Sequence, residues 1–233
     1  MKGATVRVFR HALATKGEYT MQVGVICHDY WHPGTTIMEG LGPLAAEGIV
    51  FDAIEDASLC TREWLERQDA LVIAKANEAY QDGSLPWITA ELERLLLDFV
   101  EQGKGLLVLH SGIVGWREEP AMLKLIGGVF AHHPHACPVT MTIGTDAGPV
   151  FGTAEGFTVH DEHYFVETPD DLNRVFMTSH SEHGVQPAGW VREHGKGRVC
   201  ALTPGHFLEA LREPGYQKVI SRALQWCGSG SMW

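Results

Sequence analysis

"LLVLHSG", Leu106 to Gly112, decides how the rest of the chain is read. A short apolar run ends abruptly in His110, Ser111 and Gly112. In α/β proteins a buried strand leaves its sheet at such a point, and its carboxyl end can face a ligand. His110-Ser111 is therefore a nucleophile elbow, a ligand-binding corner, or only a turn, and the surrounding sequence has to choose.

Working outward, the same pattern recurs. "QVGVIC" reads as a first short buried strand, "IVFDAI" as a second, "DALVIAK" as a third and "GLLVL" as the fourth. Between the first two lies "TTIMEGLGPLAAEG", read as a helix that Thr35 caps and Gly48 stops. A short helix is expected near "TREWLER". Ile88, Leu92, Leu95, Leu96, Phe99 and Val100 then recur at helical spacing, with Gly103 just past the end. Strands alternating with helices imply a doubly wound, mostly parallel α/β sheet with helices on both faces. After Leu109 the character changes. "PVTMTIG", "GFTVHDEHYFVE", "NRVFMTSH", "AGWVREH" and "GRVCALT" are strand-like, with a hairpin expected at Gly195-Lys196-Gly197. A last helix carries Tyr216, Val219, Ile220, Ala223, Leu224 and Cys227 on one face. Residues 21–228 are read as one domain, residues 1–20 as an extension or an edge strand at "TVRVF", and residues 229–233 as a tail.

The 233 residues, 45% hydrophobic and 20% charged, suit one α/β domain that needs no disulfides. A net charge of −11 repels phosphate backbones and anionic lipid, which argues against nucleic acid and membrane as partners. Five scattered cysteines without a C-x-x-C read as free thiols in a reducing compartment. With no signal-peptide core and no long apolar span, a cytoplasmic location is expected. A homo-oligomer is compatible with this pattern, but nothing in it specifies one.

Thirteen histidines are the unusual feature. His28, Asp29 and His32 follow the first strand, Lys75, Asn77 and Glu78 the third, and His110 and Ser111 the fourth. All are at carboxyl ends of parallel strands, which face one crevice. "HHPH" adds His132, His133 and His135, of which His133 is expected to point inward. "HDEHY" adds His160 to Tyr164, where strand alternation sends His160, Glu162 and Tyr164 to one face and Asp161 and His163 to the other. His206 follows Gly205 after the last strand. His180, His183 and His194 read as surface residues.

Several chemistries fail against these residues. A hydrolase elbow is G-x-S-x-G, whereas here both flanking glycines are missing from Leu109 to Ile113. An amidotransferase-type site needs a cysteine at that turn, and Cys27 is at the wrong strand. No G-x-G-x-x-G follows a strand, so a dinucleotide site is not expected. No motif requires a cofactor. A divalent metal such as zinc stays open on His28, His32, His110 and His206, although H-E-x-x-H is absent. The remaining reading is acid/base catalysis by His110, His206, His160 and Glu162, since imidazole exchanges protons near neutral pH and a carboxylate can orient it. Trp31, Trp116 and Tyr164 are available to cover a sugar or ring face.

Taken together, "ICHDYWHP", "GKGLLVLHSG", "IGGVFAHHP", "HDEHYFVE", "AGWVREHGKGRVCALTPGH" and the closing "AL-QW" helix resemble the trehalose-utilisation, or ThuA-like, family, in the family's order from Met21 to Cys227. The resemblance implies a flavodoxin-type fold like that of class I glutamine amidotransferases, without their cysteine nucleophile. It also implies bacterial sugar metabolism alongside oxidoreductases that make 3-keto sugars. The expected partner is a small carbohydrate. Catalytic duty is expected of His110, His206 and Glu162, and substrate contact of His32, Ser111, His133, Tyr164 and Trp31. The alternatives are a metal-dependent hydrolase and a non-catalytic sugar-binding or regulatory protein. "LHSG" then reads as a ligand-facing corner, with Ser111 as hydrogen-bond partner of His110.

Overall fold

The structure is a computed structural model and describes residues 20–144, 148–152, 154–168 and 172–228. The expectations for residues 1–19 and 229–233 lie outside the described residues.

Five strands form a parallel unit: β1 (Met21–Cys27), β2 (Ile49–Ile54), β3 (Ala70–Ala74), β4 (Gly105–Leu109) and β11 (Gly197–Leu202). Four more continue the same sheet in antiparallel pairing: β10 (Gly184–His194), β9 (Arg174–Ser181), β6 (Cys137–Ile143) and β7 (Phe157–Asp161). The order across the sheet is β2-β1-β3-β4-β11-β10-β9-β6-β7. Its first half has the flavodoxin-type order, with the strand order reversing between β1 and β3. A two-stranded sheet, β5 (Val129–His132) with β8 (Phe165–Glu167), stands apart.

β3 and β4 are buried at every residue because helices cover both sides. Leu107 and Leu109 join the core under α1 (Gly34–Leu41) and α7 (Pro214–Gly228). Leu106 and Val108 join the opposite core under α2 (Arg62–Glu66), α3 (Ala90–Glu101) and α4 (Pro120–Ile126). The short α5 (Gly148–Phe151) and α6 (Leu208–Leu211) complete the first of these layers. Among the described residues no helix is long and apolar enough to cross a membrane.

Local readings differ in three places. The first helix starts at Gly34 after Pro33, with no side-chain cap, so Thr35 is not its N-cap. That helix also tightens into a 3₁₀ segment, Gly42–Glu47, before Gly48, because Pro43 has no N–H to continue the α ladder. "GFTVHDEHYFVE" is not one strand: β7 ends at Asp161, β8 begins at Phe165 in the other sheet, and Glu162-His163-Tyr164 form the step between them. The hairpin at Gly195 is present, with His194 paired to Gly197.

Candidate functional site

His110 is fully buried at the end of β4 and stands at φ 46°, in the left-handed region that non-glycine residues seldom enter. The turn it opens, His110–Ile113, packs so closely on β3 that a Cβ on Gly112 would lie 2.1 Å from the Ile73 carbonyl oxygen. The elbow geometry is therefore real, and a histidine occupies it. His110 Nδ1 donates to the Thr203 carbonyl at 2.7 Å. A carbonyl can only accept, so the proton is on Nδ1 and the neutral ring presents the lone pair of Nε2. Nε2 lies 3.4 Å from Glu162 Oε2, off hydrogen-bond geometry.

His32 is oriented the same way. Its Nδ1 donates to Asp29 Oδ1 at 2.7 Å, leaving a buried Nε2 with no partner. Asp29 is itself fixed by the backbone N–H groups of Trp31, His32 and Ala76. Burial alone would raise the Asp29 pKa. The His32 hydrogen bond and charge, then the Ala76 and Trp31 N–H groups, outweigh it and bring the carboxyl down to about 2. The third ring, His206, follows β11. Asp161, at the end of β7, accepts from the N–H of Gly205 at 2.7 Å and of His206 at 3.1 Å. Gly205 has φ 132°, and a Cβ there would meet Leu211 at 2.9 Å and His110 Cβ at 3.4 Å. The turn therefore brings His206 against His110 only because residue 205 is glycine.

The three rings meet edge to face, with centroids 4.9 Å (His32–His110), 5.0 Å (His32–His206) and 5.6 Å (His110–His206) apart. Glu162 closes the group. Its Oε2 is 3.4 Å from His110 Nε2 and 3.3 Å from His206 Nδ1, and its Oε1 is 3.4 Å from His133 Nε2. One ligand atom from each of His32, His110, Glu162 and His206 falls within 4.8 Å of the others. Burial lowers the His110 pKa, against the pull of Glu162 and with the help of His32. Burial also lowers that of His206, again against Glu162 and with His110 and His32 adding to the effect. Burial would raise Glu162, but the facing imidazoles draw it below its ordinary value. Burial therefore favours the neutral forms of His110 and His206, while the facing imidazoles favour the carboxylate form of Glu162. The cluster opens to solvent through His206 and His133, whose side chains are 20% and 35% exposed.

The other sequence candidates fall into place around this centre. His133 alone of the "HHPH" histidines reaches Glu162, while His132 stacks on Phe165. Tyr164 is 2% exposed, stacked on His110 at 4.2 Å and against Phe130 at 4.4 Å, so it is a supporting wall rather than an open platform. Trp31 is 61% exposed and lies edge-on to Tyr30 at the rim. Trp116 is a core residue whose Nε1 donates to Gly112, so it covers no ligand. Ser111 is not the partner expected for His110: its buried Oγ makes no hydrogen bond among the described residues. His28 is exposed, and its Nδ1 accepts from the Gly34 N–H, which removes it from the metal-ligand candidates. His160 is exposed beside Phe207 and does not join Glu162, because the strand ends between them. His163 is a satisfied core residue, bonded to Ser181 and Ser179. His180 and His183 are exposed, whereas His194 is half-buried against Glu101. Sequence reasoning did not assign Asp29 and Asp161 as supports. The i,i+3 spacing of Asp29 and His32 was the available signal for the first, and none existed for the second.

The model of the trehalose-utilisation family matches residues 19–227. Among solved structures, a ThuA-like protein from Parabacteroides merdae superposes with a TM-score of 0.76 at 14% identity, covering 92% of each chain. One from Bacteroides uniformis gives 0.72 at 16% identity, covering 93% of this chain and 94% of that one. A β-galactosidase from Rahnella matches with a TM-score of 0.64 at 10% identity over 89% of this chain, but only 31% of that enzyme, a likeness of fold alone. A search of the curated proteins finds none that matches. The elbow carries histidine where a cysteine nucleophile would stand, and the family pattern runs nearly from end to end: the chain belongs to the trehalose-utilisation, or ThuA, family, on a flavodoxin-type, amidotransferase-like fold.

Proposed function

We propose that the protein is an enzyme of carbohydrate metabolism that acts on a keto sugar or keto-glycoside, by isomerisation, epimerisation or cleavage, at the cluster of His110, His206 and Glu162. One observation supports this above the rest: a partly buried carboxylate stands 3.3–3.4 Å from three imidazoles, two of which, His110 and His206, follow parallel strands. A ketone acidifies its neighbouring C–H. A carboxylate or neutral imidazole can take that proton, and a second polar group must then stabilise the enolate oxygen. Glu162 and the Nε2 lone pair of His110 suit the first task. His133, hydrogen-bonded through Nδ1 to the Pro134 carbonyl, can relay the proton from Glu162 Oε1 to solvent. His32 and His206 contact the sugar oxygens, and Trp31 offers an apolar face at the rim. The family's role in trehalose utilisation points to a disaccharide-derived substrate.

The test is turnover of 3-keto-glycosides by the wild type, His110→Ala and His206→Ala. Loss of acid/base function at either ring is expected to lower kcat by about 10²–10⁴-fold. Binding without turnover across a broad panel of keto-glycosides would instead identify a sugar-binding protein.

A further inference from the structure

We infer that the centre of the cluster is a site for a divalent first-row transition metal of the zinc type, held by His32, His110, His206 and Glu162. The inference stands on geometry and does not depend on the substrate being a keto sugar.

The argument begins with hydrogen-bond supply. His32 Nε2, His110 Nε2 and His206 Nδ1 are all buried without a hydrogen-bond partner. Leaving such an atom unsatisfied forfeits its solvation without return. Three adjacent orphans are thus a standing cost unless something occupies the space between them. Two of the rings have no freedom to help each other. The Asp29 carboxylate and the Thr203 carbonyl accept from their Nδ1 atoms, so the neutral form of each ring turns its Nε2 lone pair into the cluster. Glu162 Oε2 is an acceptor as well. A water molecule could donate to two such atoms, whereas a cation binds to all of them.

The ligand set is equally specific. The four candidate atoms lie within 4.8 Å of one another, which a cation with bonds of about 2.0–2.2 Å can span after small side-chain rotations. Imidazole nitrogens with one carboxylate suit zinc and its neighbours, whereas magnesium and calcium call for oxygen ligands. The orienting partners are also in place. A metal-binding histidine usually donates its other N–H to a carboxylate or a backbone carbonyl, and here His32 uses the first and His110 the second. His206 is held through its backbone by Asp161, and its ring lies edge-on to Phe207. Three neutral rings and one carboxylate around a divalent ion leave a net positive charge, so an open coordination position would attract a sugar hydroxyl or carbonyl oxygen. With a metal bound, the lone pairs of Glu162 Oε2, His110 and His206 would be engaged as ligands, and the proton-taking role given to His110 would pass to Glu162 Oε1. His133, on the other Glu162 oxygen, remains available to move a proton.

The experiment is elemental analysis of the purified full-length protein. It is followed by chelation, dialysis and titration with Zn²⁺, Co²⁺ and Mn²⁺, read by calorimetry and by thermal melting. We expect about one ion per chain and a higher Tm on loading, since a ligand that binds only the folded state stabilises it. His32→Ala, His110→Ala and Glu162→Ala should each weaken binding by more than about 100-fold, and Asp29→Asn by about 10–100-fold. His135→Ala and His183→Ala, both exposed, should bind as the wild type does. Circular dichroism of each variant separates loss of the site from loss of the fold. Folded wild type that takes up none of the three ions would overturn the inference, as would binding insensitive to His110→Ala. Stoichiometric metal with no turnover would retire the proposed substrate and leave the metal site standing.

Discussion

At the level of single residues, the elbow is defined by which side chain ends β4. A cysteine at the end of β4 would have supplied a nucleophile, whereas His110 supplies a lone pair fixed by the Thr203 carbonyl. Four of the five cysteines are withdrawn from chemistry. Burial pushes the thiols of Cys27, Cys60 and Cys227 up to about 12, and that of Cys200 well above its ordinary value. The thiolate is the reactive form, and at pH 8 a thiol with a pKa four units higher is roughly one part in 10⁴ ionised. Alkylation of the native protein at pH 8 should therefore leave these four unmodified, and denaturation should expose all of them. Peptide mass mapping reads the result. Rapid native labelling of Cys27 would reopen a covalent mechanism. The histidines of the cluster were legible because strand ends in an α/β sheet face one crevice, which singles out His28, His32, His110 and His206 from thirteen, and all but His28 join the cluster. The supports were not legible. Asp161 serves His206 across 45 residues of chain, and the Thr203 carbonyl serves His110 across 93, pairings that only register and sheet order create.

At the level of elements, the first half of the chain announces itself because parallel strands covered on both faces must be apolar throughout. Helix starts were less legible: Thr35 caps nothing, and the side-chain caps are elsewhere. Thr89 accepts from the Leu92 N–H at 3.2 Å, with Glu91 and Glu93 in the first turn, and Thr61 does the same for Trp64 at 3.2 Å. Thr89→Ala removes the acceptor from an otherwise unchanged helix. It should cost about 1 kcal/mol and lower Tm by about 2–4 °C for a chain of this size. Thr89→Ser should restore most of it. Equal melting of Thr89→Ala and wild type would show that α3 is held by packing alone. The second half was harder to read. Phe157–Glu167 reads as one strand-like stretch, yet β7 and β8 belong to different sheets. Polar alternation reports which side chains share a face and carries no information about where a strand changes partners. Glu162 lies in that step, so the residue that completes the site is the one whose direction the pattern could not give.

On the scale of the whole molecule, the site joins the two halves of the sheet. His32, His110 and His206 follow strands of the parallel half, while Asp161 and Glu162 arrive from β7 at the far antiparallel end. Asp161 is fully buried and is the fastener, receiving two backbone N–H groups from the turn after β11. Asp161→Ala leaves both donors without an acceptor and should cost about 2 kcal/mol or more, with metal or ligand binding weakened through His206. Asp161→Asn keeps one accepting oxygen and should cost less. The two variants also differ with pH. Burial pushes the Asp161 carboxyl up to about 6, although the N–H groups of Gly205, Glu162 and His206 draw it back. Its folded pKa therefore exceeds the unfolded value of about 3.9. A carboxyl raised in this way favours the folded state while protonated, and that contribution is lost as pH rises through about 6. Asp161→Asn should accordingly gain stability relative to the wild type between pH 4 and pH 7. Urea unfolding followed by circular dichroism and by tryptophan fluorescence would measure both effects. One coincident transition, shifted to lower urea in Asp161→Ala, is expected if the two halves form one cooperative unit. Separate transitions for the two probes, or an Asp161→Ala midpoint equal to that of the wild type, would mean that the halves hold together through the β11–β10 pairing without the site.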